Sequence, residues 1–335
     1  MMQQAKKPYP NKIKIKAMMD ISNDHAIGID IGGTNTKYGI VNHRGQIIFE
    51  GSIKTDQYPT IDEFIDALYG KLQPEIDAMK DVNIVGIGLG APNGNFYTGT
   101  IDYAPNLRWK GIVPLAQLVT EKFGITAKLT NDANAAAVGE MMYGAARGMK
   151  DFIMITLGTG VGSGIFANGE LVLGHDGFAG ELGHSIVIPG GRLHPHTGLY
   201  GSLESYASAT GVTVTAKEFL SGTAEASILR ETPTDDLNSK IVFDAAIAGD
   251  AIAMKVFEFT GNILGMALAN FVTFSSPQAI ILFGGLTKAG DILMKPVKDS
   301  MERNLLPIFR NKIQLIFSEL KESDAAILGA SALVW

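Results

Sequence analysis

Residues 26–41 read AIGIDIGGTNTKYGIV: a β-branched run carrying one acid, a turn of two glycines with small hydroxyl and amide residues, then a second apolar run. The pattern predicts a β-hairpin whose tip holds phosphate, because glycines at Gly32 and Gly33 let backbone N–H groups approach an anion closely. Thr34, Asn35, Thr36 and Lys37 add side-chain donors. Asp30 falls where the strand meets the turn. A carboxylate beside a phosphate nest is repulsive by itself, so its presence implies a divalent cation between the two.

The same outline returns at residues 152–166, FIMITLGTGVGSGIF, where Gly32 falls on Gly158, Gly33 on Thr159 and Asp30 on Thr156. Either hairpin alone reads equally well as an ordinary Gly-rich turn, since single glycine motifs are weak signals. Two of them in one chain point to two similar halves facing a nucleotide.

A length of 335 residues favours about two domains, and a hydrophobic content of 46% is ample for real cores. The 39 glycines sit mostly in strand-turn positions, as in an α/β protein. The net charge of −6 argues against a nucleic-acid partner, which needs a basic face. With no cysteine, disulfides and thiolate metal sites are excluded, and a cytoplasmic location is the expectation. Residues 1–25 read as a loose solvated tail rather than a signal peptide or a nucleic-acid arm. The longest uncharged stretch, Phe259 to Thr287, contains Asn262, Asn270, Ser275, Ser276 and Pro277. It reads as a buried helix followed by a strand, not as a membrane span.

Along the chain, Ile47 to Ile53 is expected as a third strand, making the opening a β-meander. Ile61, Phe64, Ile65, Leu68 and Leu72 follow the i, i+3, i+4 spacing of an amphipathic helix over Thr60 to Met79. Asn83 to Leu89 is nearly all apolar, as a central parallel strand should be. A loop over the sheet edge follows, Gly90 to Gly99, and then an irregular polar and aromatic patch, Ala104 to Trp109. Leu115 to Phe123 is expected as a helix and Thr126 to Thr130 as a strand.

Asn131 and Asp132 stand before an alanine run, the signature of a helix N-cap. Asp132 reads equally as a structural cap or as a carboxylate kept ionised by the helix dipole, fit to be a general base. Glu181 and His184 lie in a glycine-flanked segment, and Glu204 in the first turn of a helix that Ser202 is placed to cap. Val212 to Lys255 is expected to be helical with a polar break at Glu231 to Asp236. Gly261, Gly265 and Ala269 give the following helix a small-residue face for close packing. Ala279 to Phe283 is a strand that meets Gly284 and Gly285, a third place where glycines follow a strand end and ligands bind in doubly wound sheets. Ile313 to Phe317 closes the strands, and Asp324 to Leu333 is a final small-residue helix.

Six motifs in order, DIGGT at Asp30 to Thr34, APNLRW at Ala104 to Trp109, NDANAAAVGE at Asn131 to Glu140, LGTGVGSG at Leu157 to Gly164, GELGH at Gly180 to His184 and LESYAS at Leu203 to Ser208, resemble the ROK family of sugar kinases and repressors. The resemblance runs from about residue 26 to the C-terminus. It implies an α/β, actin-like (ribonuclease H-like), duplicated two-domain sugar kinase fold with an inter-domain cleft. The expected division is a first domain over 26–130, completed by the terminal helix 322–335, and a second over 131–321.

By the same resemblance, Asp132 matches the catalytic base that takes the proton from a hexose 6-hydroxyl as it attacks the γ-phosphate of ATP. Asn106, Asn131, Glu181, His184 and Glu204 match hexose-binding positions. Asp30, Gly32, Gly33, Thr34, Asn35 and Lys37, with Gly158, Thr159, Gly160, Gly284 and Gly285, cover the phosphate and adenosine contacts, with Mg²⁺ between. Glucose is the expected sugar; kinases for N-acetylglucosamine, N-acetylmannosamine, mannose, allose and fructose share much of the pocket. The expected partners are the hexose and ATP, with no nucleic acid, no membrane and a homodimeric assembly. Repressors of the family carry a helix-turn-helix module before the first hairpin; only 25 residues precede it here, so a sugar-sensing DNA binder is not expected.

One departure stands out. Where the family has a zinc site of one histidine and three cysteines, with CxCGxxGC, this chain reads HPHTGLYGS at residues 194–202. His194 and His196 take the first two cysteine places and Ser202 the third, with one residue inserted. With His184 as the family's histidine ligand, a three-histidine zinc site is chemically open. The favoured expectation is that the metal is lost and hydrogen bonds hold the loop. Asn93 also departs, standing where many members have glycine after the proline.

Overall fold

The computed structural model describes residues 23–335, so the reading of residues 1–22 as a tail lies outside the described residues. The first half contains β1 (Asp24–Ile31), β2 (Asn35–Asn42), β3 (Ile47–Lys54), α1 (Ile61–Ala78), β4 (Asn83–Gly90), β5 (Gly94–Asn95), β6 (Thr100–Asp102), β7 (Ile112–Val113), α2 (Leu115–Phe123) and β8 (Ala127–Thr130). Next come α3 (Asp132–Tyr143), β9 (Phe152–Leu157), β10 (Val161–Ala167), β11 (Glu170–Leu171), α4 (Glu204–Ala207), α5 (Ala209–Gly222), α6 (Ser239–Ile247) and α7 (Ala251–Ser275). The chain closes with β12 (Ala279–Phe283), α8 (Asp291–Asn304), β13 (Gln314–Phe317) and α9 (Ala325–Ala332).

The two large sheets have the same order. The first runs β3-β2-β1-β4-β8 and the second β11-β10-β9-β12-β13. In each, a three-stranded antiparallel meander is extended by two parallel strands. The duplication read from the two glycine turns is therefore a duplication of the whole sheet. β4 lies between β1 and β8, parallel to both, which suits its apolar sequence: Gly86 to Gly90 are buried, while Val85 near its start is exposed.

α1 begins where expected. Thr60 accepts from the Glu63 N–H at 3.3 Å while the Thr60 N–H donates to the Glu63 carboxylate at 3.1 Å, a capping box closing the first turn. Phe64, Ile65, Leu68 and Leu72 form its buried face.

α3 and α9 lie back to back between the sheets. α3 packs on β10 and β9, and α9 on β1, β4 and β2. Glycines make room for them. A Cβ on Gly28 would stand 2.1 Å from the Ile327 carbonyl and one on Gly88 1.8 Å from that of Ala330, while one on Gly164 would meet the Ala137 Cβ at 2.5 Å. The two helices touch where a Cβ on Gly139 would lie 2.8 Å from the Gly329 Cα.

α7 is long and apolar enough to cross a membrane by length and composition, yet it is largely buried and packs along α8 as a core helix. Gly261 and Gly265 mark the crossing, with Pro296 and the Val297 carbonyl where their Cβ atoms would be.

The structure corrects the sequence reading in four places. β1 starts at Asp24 rather than after residue 25. The loop read over Gly90 to Gly99 and the residues that follow it contain a three-stranded sheet, β5-β6-β7, whose two- and three-residue strands are too short to show a period. The break between helices runs from Thr223 to Asn238, wider than the charged segment at its centre. Ser202 does not cap α4: its hydroxyl pairs with that of Ser205 at 2.9 Å, and Ser208 caps α5 instead by accepting from the Gly211 N–H at 3.0 Å.

Candidate active site

The ends of both sheets and the N-terminus of α3 face a cleft of about 520 Å³. Its walls include Asn106, Asn131, Asp132, Glu181, His184 and Glu204, together with Gly158, Thr159, Gly160, Gly284 and Gly285. Residues spread over 180 positions of sequence thus converge (Asn106 to Gly285), while Gly32, Gly33, Thr34, Asn35 and Lys37 are not among the residues lining this cleft. A smaller adjoining cavity of about 200 Å³ joins Asp30 to Asp132. The first glycine turn crosses beside Asn106: a Cβ on Gly33 would stand 2.7 Å from the Asn106 carbonyl. Thr34, Asn35 and Lys37 are exposed at that turn, and Lys37 pairs across the hairpin with Asp30.

Asn131, not Asp132, is the N-cap of α3, accepting from the Asn134 N–H at 2.7 Å. Asp132 is the first helical residue, and its Oδ1 accepts from the Ala133 N–H at 2.8 Å. Its side chain is exposed to the cleft while protein atoms crowd round its carboxyl. The dipole and N–H bonds alone would keep this carboxyl acidic, but burial outweighs them and raises its pKa above the usual carboxylate range. Asp30 behaves alike: burial first, then the nearby Asp132 charge, push its pKa up to about 7, against a smaller opposing pull from Lys37. Two carboxylates raised together at a cleft floor form a site that a cation would relieve.

Glu181 is also raised, chiefly by burial, with Asp132 and Glu204 adding to the effect and His184 and Asn131 opposing it. The Asn131 amide donates to Glu181 at 3.4 Å, and the His184 Nε2 is 3.8 Å from the other oxygen. The His184 Nδ1 is buried without a partner among the described residues. The segment is fixed from behind by Ser163, whose hydroxyl donates to the Gly180 carbonyl and accepts from the Leu182 N–H at 3.2 Å. Glu204 takes the Val161 N–H at 2.7 Å, and a Cβ on Gly160 would lie 2.4 Å from the same oxygen. A side chain at Gly160 would thus press on the Glu204 carboxylate.

Beside the cleft, and sharing Gly158, Thr159, Gly285 and Glu322 with it, is a cavity of about 410 Å³ lined by Ala209, Phe243, Phe257, Leu286 and Ala289. No atom lies within 4 Å of the place a Cβ would take on Gly158 or Gly285, so both leave open backbone toward this junction. An apolar slot next to bare backbone and a polar cleft fits a nucleotide: base in the slot, phosphates over the glycines. Sequence reading missed this slot, which is assembled from four separate elements. It also missed Glu322, which borders all three cavities and pairs with Lys288 at 2.6 Å. Glu322 sits in a short charged run with no motif around it.

The zinc donors implied by the resemblance do not fit a zinc ion here. The His194 Nε2 lies 2.9 Å from Glu204 and its Nδ1 pairs with the Thr197 hydroxyl at 3.0 Å, so both nitrogens are engaged. Ser202 is buried and paired with Ser205. His184, His194 and His196 are not gathered as ligands, and among the described residues no group of three His, Cys, Asp or Glu side chains is arranged to hold a metal ion. Hydrogen bonds hold the loop: the Arg192 guanidinium reaches the carbonyls of Ser205 and Gly211, the Thr215 hydroxyl and both oxygens of Glu218. Asn93, the other departure, has φ +53°, a left-handed conformation that glycine or asparagine tolerates.

The fold and the cleft define a duplicated, actin-like sugar kinase architecture, and residues 26–335 match the ROK family model. The chain belongs to the ROK family. It is 37% identical over 314 residues to the glucokinase of Halalkalibacterium halodurans, covering 92% of this chain and 94% of that one. A crystal structure of a ROK family glucokinase from Streptomyces griseus in complex with glucose and AMPPNP superposes with a TM-score of 0.76 and 33% identity, over 92% of this chain and 98% of that one. The N-acetylglucosamine repressor of Escherichia coli O157:H7 is 27% identical over 96% of this chain and 77% of its own length.

Proposed function

We propose that this protein transfers the γ-phosphoryl group of ATP to the 6-hydroxyl of glucose, with Asp132 as the general base. It is an ATP-dependent sugar kinase. The observation that carries this reading is the convergence of Asp132, Glu181, His184 and Glu204 on one cleft that opens directly into an apolar, glycine-edged slot. The similarity to glucokinases over nearly the whole chain supports glucose as the acceptor.

In this reading Asn106, Asn131, Glu181, His184 and Glu204 bind the sugar hydroxyls. Carboxylates and amides suit them because each can pair with two adjacent hydroxyls. The raised Glu181 is a group that a bound sugar would satisfy. Asp132 accepts the proton as the hydroxyl oxygen forms its bond to phosphorus, and burial gives it the proton affinity a base needs. The glycine turns at 32–34, 158–160 and 284–285 orient the phosphates. Asp30 would hold Mg²⁺ together with phosphate oxygens, and the ion when bound neutralises charge on the transferred group.

Residues 26–130 with 322–335 would form one body and residues 131–321 the other, and their closure excludes water that would otherwise hydrolyse ATP. On the family resemblance alone, we place the enzyme in the cytoplasm as a homodimer; a monomeric mass by light scattering contradicts the latter. The function itself is tested by ADP release with Mg-ATP against a panel of hexoses and N-acetylhexosamines. A rate with glucose well above all others is expected; preference for another sugar would overturn the pocket assignment, and no activity with any sugar would overturn the kinase reading.

A further inference from the structure

We propose that His194 is a positioning residue for the sugar-binding carboxylate of Glu204, holding it by a close side-chain contact from a metal-independent hairpin. The inference rests on the reading of Glu204 as a sugar ligand.

Glu204 is held at both oxygens. Its Oε2 accepts the Val161 N–H at 2.7 Å, and its Oε1 lies 2.9 Å from the His194 Nε2, a close polar contact. A donor on one oxygen and a close imidazole beside the other restrict how the carboxylate can turn, and each oxygen keeps a lone pair for a substrate hydroxyl. Both side chains are mostly enclosed, at 13% and 14% exposure, so the contact is shielded from competing water. Val161 belongs to the rigid strand β10, whereas His194 stands on the segment 192–201. Whether Glu204 is well placed therefore depends on how that segment is held.

The segment is built as a small hairpin. Leu193 bridges Tyr200, the His194 N–H donates to the Leu199 carbonyl at 2.8 Å, and the Gly198 N–H returns to the His194 carbonyl at 2.9 Å. Its base is bolted to α4 and α5 through Arg192, whose guanidinium lies over the Tyr206 ring at 4.5 Å and forks onto Glu218. The Tyr206 hydroxyl accepts the Arg192 N–H at 2.7 Å. The imidazole is oriented from its far side by Thr197. The chain of support runs from α5 through Arg192 and the hairpin to His194 and ends on Glu204 in the cleft, with no place in it for a metal ion.

The test uses the intact protein and reads glucose affinity by calorimetry without nucleotide, alongside kcat and KM for glucose and ATP. His194→Ala is expected to raise both the glucose Kd and the glucose KM by roughly ten- to a hundredfold, the usual effect of removing an enclosed polar partner from a charged group. The ATP KM and kcat are expected to change little. His194→Gln, which can present an N–H near the place of Nε2, should restore most of the affinity, and His194→Asn, which mimics only Nδ1, should not. Treatment of the wild type with a chelator, or addition of zinc, should leave the glucose Kd unchanged.

Rescue by asparagine but not glutamine would make His194 a prop of its own turn and overturn the proposal. So would an unchanged glucose Kd in His194→Ala, or a wild-type Kd that depends on zinc. If the wild type is active on a sugar while the variants match it, the proposal alone fails; if the wild type neither binds nor phosphorylates any sugar, the functional reading fails and takes the proposal with it.

Discussion

The two glycine hairpins occupy the same place in two sheets of the same strand order, yet they end in different chemistry. Near the end of β1 stands Asp30, half-buried and raised to about 7, whereas the equivalent point of β9 is Thr156, whose hydroxyl accepts the Gly162 N–H at 3.1 Å within its own turn. The fold is repeated and the charge is not. A phosphoryl transferase needs this asymmetry: one half has to meet a cation and the transferred group, while the other can hold the rest of the nucleotide with backbone and neutral groups. The two inter-sheet helices differ in the same way. α3 opens with Asp132 facing the cleft, whereas the entry to α9 carries Glu322, half-exposed at the cavity rim and paired with Lys288.

The sharpest way to break this comparison is at Asp132. Asp132→Asn keeps the helix start, because Asn131 is the cap, so folding should be preserved. Turnover should fall by at least about 10²- to 10⁴-fold while glucose affinity stays within a few-fold. Retained ADP release would remove Asp132 as the base.

Next in size is the packing that both halves share. Gly88→Ala places a methyl 1.8 Å from the Ala330 carbonyl and Gly164→Ala places one against Ala137. Each should destabilise by about 1–3 kcal/mol, the ordinary range for overpacking, measured by denaturant unfolding. An unchanged stability in either would mean that α3 or α9 is free to shift on its sheet.

The charge difference between the hairpins predicts a pH effect. Asp30 ionises near pH 7 in the folded protein against an ordinary value of 3.8. Between those values the folded protein keeps a proton that the unfolded chain has released. Stability from this site is therefore complete below about pH 4 and is lost as the pH rises through about 7. Asp30→Asn should flatten that part of the melting-temperature profile of the ligand-free protein and raise the Mg²⁺ concentration needed for half-maximal rate; Thr156→Val should do neither.

The smallest expected effect is a control. A Cβ on Gly70, exposed in the middle of α1, meets nothing within 4 Å. Gly70→Ala should stabilise by about 0.5–1 kcal/mol, as alanine does for an open helix position.

Most of the sheet architecture was legible because its signals are local. Unbroken apolar runs give β1, β4, β9 and β12, and a strand ending in glycines marks each ligand-facing turn. The small sheet β5-β6-β7 was not legible, since strands of two or three residues carry no period and are held by their neighbours. Ser202 was misread as a cap because a hydroxyl before a helix can bond to a side chain instead of a backbone N–H, and the structure sends it to Ser205. The polar residues of the cleft were found because they stand in motifs. The apolar slot was not, because Ala209, Phe243, Phe257, Leu286 and Ala289 are ordinary core residues on separate elements, and only packing makes a cavity of them. The role of His194 toward Glu204 was hidden for a related reason: at the level of sequence it occupies a metal-ligand place, and only its distance to Glu204 gives it another partner.

The central claim, transfer from ATP to one hydroxyl of glucose, is tested most directly by identifying the product. Wild-type protein incubated with Mg-ATP and glucose should give ADP and a single phosphorylated sugar in equal amounts, with the phosphorus coupled by NMR to the protons on carbon 6. ADP appearing without a sugar phosphate, or phosphate carried on another carbon, would contradict the account.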